Sequence, residues 1–134
     1  MTGPQAGRAT LGRGERVISP ATFRAVYAAR ARAGDGRLVV YARASGLSVT
    51  RLGLSVGRRS GGAVARNRTK RLLREVFRRA RADWPTGYDV VVVTLGRDYT
   101  LKEVDERLRT LVPEALRRAQ RRADDDAGAR GATP

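Results

Sequence analysis

The sequence predicts a two-layer α/β (α+β) sandwich, a small mixed sheet covered by three helices. Three observations carry that prediction: apolar residues alternate with period two over 38–43 and 51–56, an unbroken apolar run spans 88–95, and three stretches of helical periodicity lie around them.

Ser19 followed by Pro20 is an N-cap with proline at the first helical position, where its missing N–H is no loss. Phe23, Val26, Tyr27 and Arg30 continue at helical spacing, giving a first helix over roughly 20–31. Gly34, Asp35 and Gly36 form a turn. Leu38, Val40 and Ala42 then alternate with Val39, Tyr41 and Arg43 as a strand that Gly46 ends. In the next strand Leu52, Leu54 and Val56 face one side and Arg51, Gly53 and Ser55 the other, the pattern of a half-buried strand. The loop Gly57–Gly62 follows, and a second helix begins near Val64.

Projected at 100° per residue, that helix places Leu72, Leu73, Val76, Phe77 and Ala80 on one side; Arg66, Arg68, Lys70, Arg71, Arg74, Arg78 and Arg79 fill the opposite arc. Trp84, Pro85, Thr86 and Gly87 end it. Tyr88–Leu95 is too uniformly apolar for an edge and reads as a central strand buried on both faces. Thr100 with Glu103 makes a capping box before Leu101, Val104, Leu108, Leu111 and Val112. Pro113 lacks an amide donor and is expected to kink or break this third helix, Leu116 and Ala119 carrying a shorter continuation. If the strands flanking the basic helix are parallel, they form a crossover unit.

At 134 residues the chain holds one compact domain. Residues 1–15 and 123–134 lack apolar periodicity and are expected to be a disordered arm and tail around a single domain over 16–122. The 28 Lys and Arg outweigh 13 Asp and Glu, a net charge of +15 that repels itself unless a polyanion is bound. With no cysteine and no histidine, thiolate chemistry, Cys-based zinc sites and the commonest general base of protein ribonucleases are excluded. No acidic pairing suggests a protein-borne two-metal centre either. The amino terminus has no apolar stretch of signal-peptide length, and no run approaches the ~20 residues of a membrane span, so a cytoplasmic protein with no membrane partner is expected.

Between Arg51 and Arg81 eleven basic residues stand against one acid, Glu75. Ordinary solvated helix faces mix signs; here like charges stand at i,i+4 along Arg66, Lys70, Arg74 and Arg78, each pair mildly destabilising. An anionic partner would offset that repulsion. A cationic amphipathic helix also suits a membrane surface, but its apolar stripe is needed by the sheet. The glycines at 61 and 62 do not match the GxxxxGK[ST] phosphate loop.

The stretch GLSVGRRSGGAVARNRTKRLLREVFR, Gly53–Arg78, resembles the signature of the bacterial ribonuclease P protein family, with its GLxVS(K/R)(K/R)-type strand and loop before an RNR-containing helix. The resemblance extends over Arg16–Ala119. It implies a fold similar to the second domain of ribosomal protein S5, with a left-handed βαβ crossover against the usual right-handed preference. It also implies a subunit of an endoribonuclease that matures tRNA 5′ ends, with no catalytic protein side chain, no organic cofactor, and magnesium held mainly by the RNA partner.

Carried onto this chain, the resemblance implies that Arg66, Asn67, Arg68, Lys70, Arg71 and Arg74 contact the ribonuclease P RNA. Phe23, Tyr27, Val39, Tyr41 and Ser55, with Arg58 and Arg59, would hold the 5′ leader of precursor tRNA. From spacing alone Phe23 and Tyr27 fit a core pair; the resemblance turns them, with Tyr41, into a platform on which unpaired bases stack. Gly57, where family members often carry Ser, is expected to loosen the loop of Arg58 and Arg59. The free protein is expected to be a monomer. The alternative is a ribosomal RNA-binding protein of similar fold.

Overall fold

The computed structural model describes residues 19–131, so the arm expected over 1–15 lies outside the described residues. Ser19 caps α1 (Pro20–Ala28), its Oγ accepting from the Thr22 amide at 2.9 Å. The helix stops short of Ala31 because Arg30 takes a φ of 61° and turns the chain into a strand the sequence reading lacked, β1 (Ala31–Gly34). Ala-Arg-Ala-Gly has little intrinsic strand preference, yet Ala31 and Ala33 are buried while Arg32 and Gly34 are exposed. The Asp35 Oδ1 accepts from the amides of Arg37 and Leu38, both at 3.0 Å, and with Gly36 at φ 90° this closes a hairpin into β2 (Leu38–Ala44).

With β3 (Arg51–Ser55) and β4 (Tyr88–Thr94) the sheet has the order β1-β2-β4-β3. β4 runs antiparallel to β2 and parallel to β3, so the sheet is mixed and β3, α2 (Ala63–Ala80) and β4 form the expected parallel crossover. The apolar run is the central strand, with Val90, Val91 and Val92 fully buried.

Strand alternation gives the sheet two unlike faces. Leu38, Val40, Ala42, Leu52, Val90 and Val92 pack with Leu73, Val76 and Phe77 of α2 and with Val104, Leu108, Val112 and Leu116 of α3 (Leu101–Gly131) in one core. The other face carries Val39, Tyr41 and Arg43 in register with Val93, Val91 and Asp89, and these with Ser55, Gly53 and Arg51. Over part of it lies α1, anchored by the fully buried Val26 and by Tyr27 against Tyr41.

Two expectations about the third helix are corrected. It runs through Pro113 without interruption. A proline there deprives the Arg109 carbonyl of its helical donor, but Leu111, Val112, Ala115 and Leu116 around it are buried in the core, and that packing holds the helix. The tail expected to be disordered from 123 is helical as far as Gly131, residues 132–134 lying outside the described residues. Gln120 ties that extension down: it accepts from the Tyr88 hydroxyl and donates to Asp124 at 2.8 Å.

Candidate nucleic-acid interface

The apolar side of α2 is spent on the core through Thr69, Leu73, Val76, Phe77 and Ala80, with the Thr69 hydroxyl donating back to the Ala65 carbonyl. Leu72 is only partly buried. The remaining arc presents Asn67, Arg68 and Arg71 as exposed residues, with Arg66, Lys70 and Arg74 half-buried beside them. Among the described residues, Arg66, Arg68, Lys70 and Arg71 form no ion pair. Glu75 is the one acid of the helix and is taken by Arg78 and Arg79, each at 2.7 Å. The Arg78 guanidinium, with Arg79 behind it, holds the Glu75 carboxyl below its ordinary range. Thus Arg66, Arg68, Lys70 and Arg71 stand without a counter-charge among the described residues, while the end of the arc at Arg78 and Arg79 is internally paired. The Arg66 Nε is buried with no hydrogen-bond partner, an unsatisfied donor of the kind folded proteins avoid.

Arg58 and Arg59 are exposed on a short 3-10 turn between β3 and α2. Gly57 is extended and nothing crowds it, at the start of a loop held at its other end. Ser60 is buried and pins it, its hydroxyl 2.7 Å from the Gly96 carbonyl and 3.0 Å from Thr94 Oγ1. At Gly61 the chain turns with φ 113°, and a Cβ there would stand 2.8 Å from that of Ala65, so only glycine fits the approach to α2.

On the face of the sheet that α1 partly covers, Tyr27 meets Tyr41 edge to face with centroids 4.9 Å apart, and Phe23 stands 6.3 Å from Tyr27. Tyr27 is 36% exposed and Phe23 and Tyr41 are half-buried. The core reading of the Phe23–Tyr27 pair is therefore not what the fold adopts: Val26 between them is the residue α1 buries. Half-buried Val39 and Ser55 flank the rings on β2 and β3, with Val91, Val93 and Gly53 as floor. The expected leader residues thus share one face of the sheet, with Arg58 and Arg59 on the turn that follows β3. Exposed aromatic rings beside guanidinium groups suit a single strand, the rings taking bases and the cations phosphates.

Sequence reasoning missed Arg32, whose Nη1 donates to the Tyr41 hydroxyl at 3.4 Å. The signal was the Asp35–Gly36 pair, a hairpin mark that places Arg32 opposite Tyr41. The tally of basic residues over 51–81 also includes Arg51, which the structure commits to the buried Asp89. Among the described residues no three acidic side chains are grouped to hold a metal ion, and no helix is long and apolar enough to cross a membrane.

These features define a basic α/β protein whose surface is suited to RNA. The family model described as Ribonuclease P matches residues 11–119. The chain is 40% identical over 96 residues to the ribonuclease P protein component of Caldanaerobacter subterraneus subsp. tengcongensis, covering 68% of this chain and 83% of the relative. To that of Brevibacillus brevis it is 38% identical, covering 77% and 84%. The RNase P protein of Staphylococcus aureus superimposes with a TM-score of 0.64 at 26% identity, covering 74% of this chain and 93% of that one. That of Thermotoga maritima, solved with 1-(4-fluorophenyl)-2-thiourea, gives 0.62 at 31%, covering 70% and 94%. The chain belongs to the ribonuclease P protein family and is thereby a protein subunit of the endoribonuclease that processes tRNA 5′ ends, an enzyme whose catalysis is carried by RNA. The ribosomal alternative is set aside.

Proposed function

We propose that the outward arc of α2, formed by Arg66, Asn67, Arg68, Lys70, Arg71 and Arg74, docks on the ribonuclease P RNA. The surface of Phe23, Tyr27, Val39, Tyr41 and Ser55, with Arg58 and Arg59 on the turn after β3, holds the single-stranded 5′ leader of precursor tRNA. The carrying observation is that Arg66, Arg68, Lys70 and Arg71 face outward with no carboxylate of the described chain to pair with. A surface whose repulsion nothing internal offsets is complementary to a polyanion. In this reading magnesium ions of the hydrolytic step sit on the RNA, the protein is a cytoplasmic monomer before assembly, and its contributions are electrostatic attraction and leader contact.

The test is equilibrium binding of the triple variant R66A/R68A/R71A to ribonuclease P RNA across a salt series. Each lost phosphate contact removes roughly 0.9 from the slope of log affinity against log salt concentration. The expected result is weaker binding with a shallower slope; a slope equal to that of the unaltered protein refutes the docking surface.

A further inference from the structure

A second concentration of arginine lies away from α2. Arg30, Arg32, Arg118, Arg121 and Arg122 line an open groove of about 470 Å³ between the α1–β1 corner and the carboxyl-terminal part of α3, with Asp125 as the one acid among its lining residues. We infer that this groove is a phosphate-binding extension of the leader platform, taking the backbone of nucleotides upstream of those stacked on Tyr27 and Tyr41.

Continuity supports this first. Arg32 is shared: it lines the groove and donates to the Tyr41 hydroxyl, so a strand leaving the tyrosines over β1 passes directly onto guanidinium groups. The fold also spends conformational freedom to display these groups. Arg30 stands at φ 61°, a backbone region that favours glycine, and its side chain is exposed. Arg118 holds the two walls together by donating to the Arg32 carbonyl and to Glu114, whereas Arg30, Arg121 and Arg122 are exposed and form no ion pair among the described residues. Arg121 and Arg122 also lie beyond residue 119, where the family match ends, so this is a feature of the chain's own helical extension. A single RNA strand fits better than an acidic peptide because the groove is joined through Arg32 to the exposed Tyr27–Tyr41 rings, which a base uses and a carboxylate does not.

The inference rests on the leader-platform reading, and the experiment separates the two. Holoenzyme is reconstituted from the full chain and a ribonuclease P RNA. Its affinity is measured for precursor tRNA with a leader just covering the two tyrosines and with one several nucleotides longer. The unaltered protein should bind the longer leader more tightly. R121A/R122A should abolish that gain, leave the short leader unaffected, and flatten the salt dependence by about 0.7 per lost contact to a single strand. R121K/R122K should keep most of the gain, and thermal melts of both variants should match the parent. An undiminished gain in R121A/R122A overturns the groove, as does an equal loss on both leaders, which would put the arginines on the RNA subunit or the tRNA body. Failure of the underlying platform shows separately, as unchanged leader affinity in Y41A.

Discussion

Arg51 clasps the carboxylate of Asp89 with Nε and Nη2 at 2.7 and 2.8 Å, across the parallel pairing of β3 and β4. Asp89 is completely buried, and its other cation, Arg43, stands 3.8 Å away. The hydrogen bonds to Asp89 raise the Arg51 guanidinium pKa above its ordinary value. This ion pair locks the crossover strands at the end of the sheet remote from Arg58.

Arg51→Met strips the buried carboxylate of its bidentate partner, and removing one member of a buried pair costs roughly 3–5 kcal/mol. Urea denaturation should show that loss, with the midpoint lowered. Asp89→Asn should cost less, because a quarter-exposed Arg51 side chain can turn to water. A variant with parental stability but weakened RNA affinity would show that Arg51 contacts RNA instead.

Tyr41→Ala removes one wall of the aromatic platform. Stacking of a base on an aromatic side chain contributes about 1–3 kcal/mol, so precursor tRNA affinity of the holoenzyme should fall roughly five- to 150-fold with mature tRNA affinity nearly unaltered. Tyr41→Phe should stay close to the parent, since the bond it loses to Arg32 is long at 3.4 Å. Comparable losses for both tRNAs would make Tyr41 a structural residue.

What could be read in advance follows from how strongly each segment is patterned. The apolar run at Tyr88–Thr94 and the two-sided helix Ala63–Ala80 announce themselves because burial on both faces, or on one, dictates residue type at every position. β1 carries no strand mark of its own because alanines bury without announcing a strand, and only the Asp35–Gly36 turn directly after it points to its pairing with β2. The division of α2 into an outward half and a Glu75-paired half was equally hidden, since helix projection shows direction and not rotamer. Phe23 and Tyr27 were ambiguous by spacing; only the burial of Val26 between them decides which side of α1 faces the sheet.

Glu103 should govern part of the acid limb of stability. Its amide donates to Thr100 Oγ1 as the capping box requires, but its carboxylate does not reach back to the cap. Instead it accepts from Arg37 Nε at 2.7 Å and Nη2 at 3.0 Å and from Arg107 at 3.0 Å, tying the β1–β2 hairpin to the start of α3. The hydrogen bond from Arg37 leads in holding its pKa below the ordinary value. A depressed folded-state pKa adds stability that is fully present above the unfolded pKa and disappears as pH falls through the folded value. Glu103→Gln should therefore be less stable at neutral pH and lose less on acidification, the two stability curves converging at low pH in thermal melts. Parallel curves would show that another carboxylate carries the effect.

Pro113→Ala should stabilise the protein, against the usual direction of substitutions beside a core. The residue lies in the middle of α3, where proline costs up to about 3 kcal/mol relative to alanine because it removes the donor to the Arg109 carbonyl and crowds it. Part of the gain is offset, since alanine leaves the unfolded chain freer by about 0.4–1 kcal/mol. The net expectation is an increase of about 1–2.5 kcal/mol in urea denaturation, with affinity for the ribonuclease P RNA unchanged, because Pro113 is half-buried on α3 and far in the chain from the docking arc of α2. A loss of stability would mean that the helix is bent at this point to follow the sheet and that the proline sets the bend, so that Leu116 and Ala119 reach the core only through it.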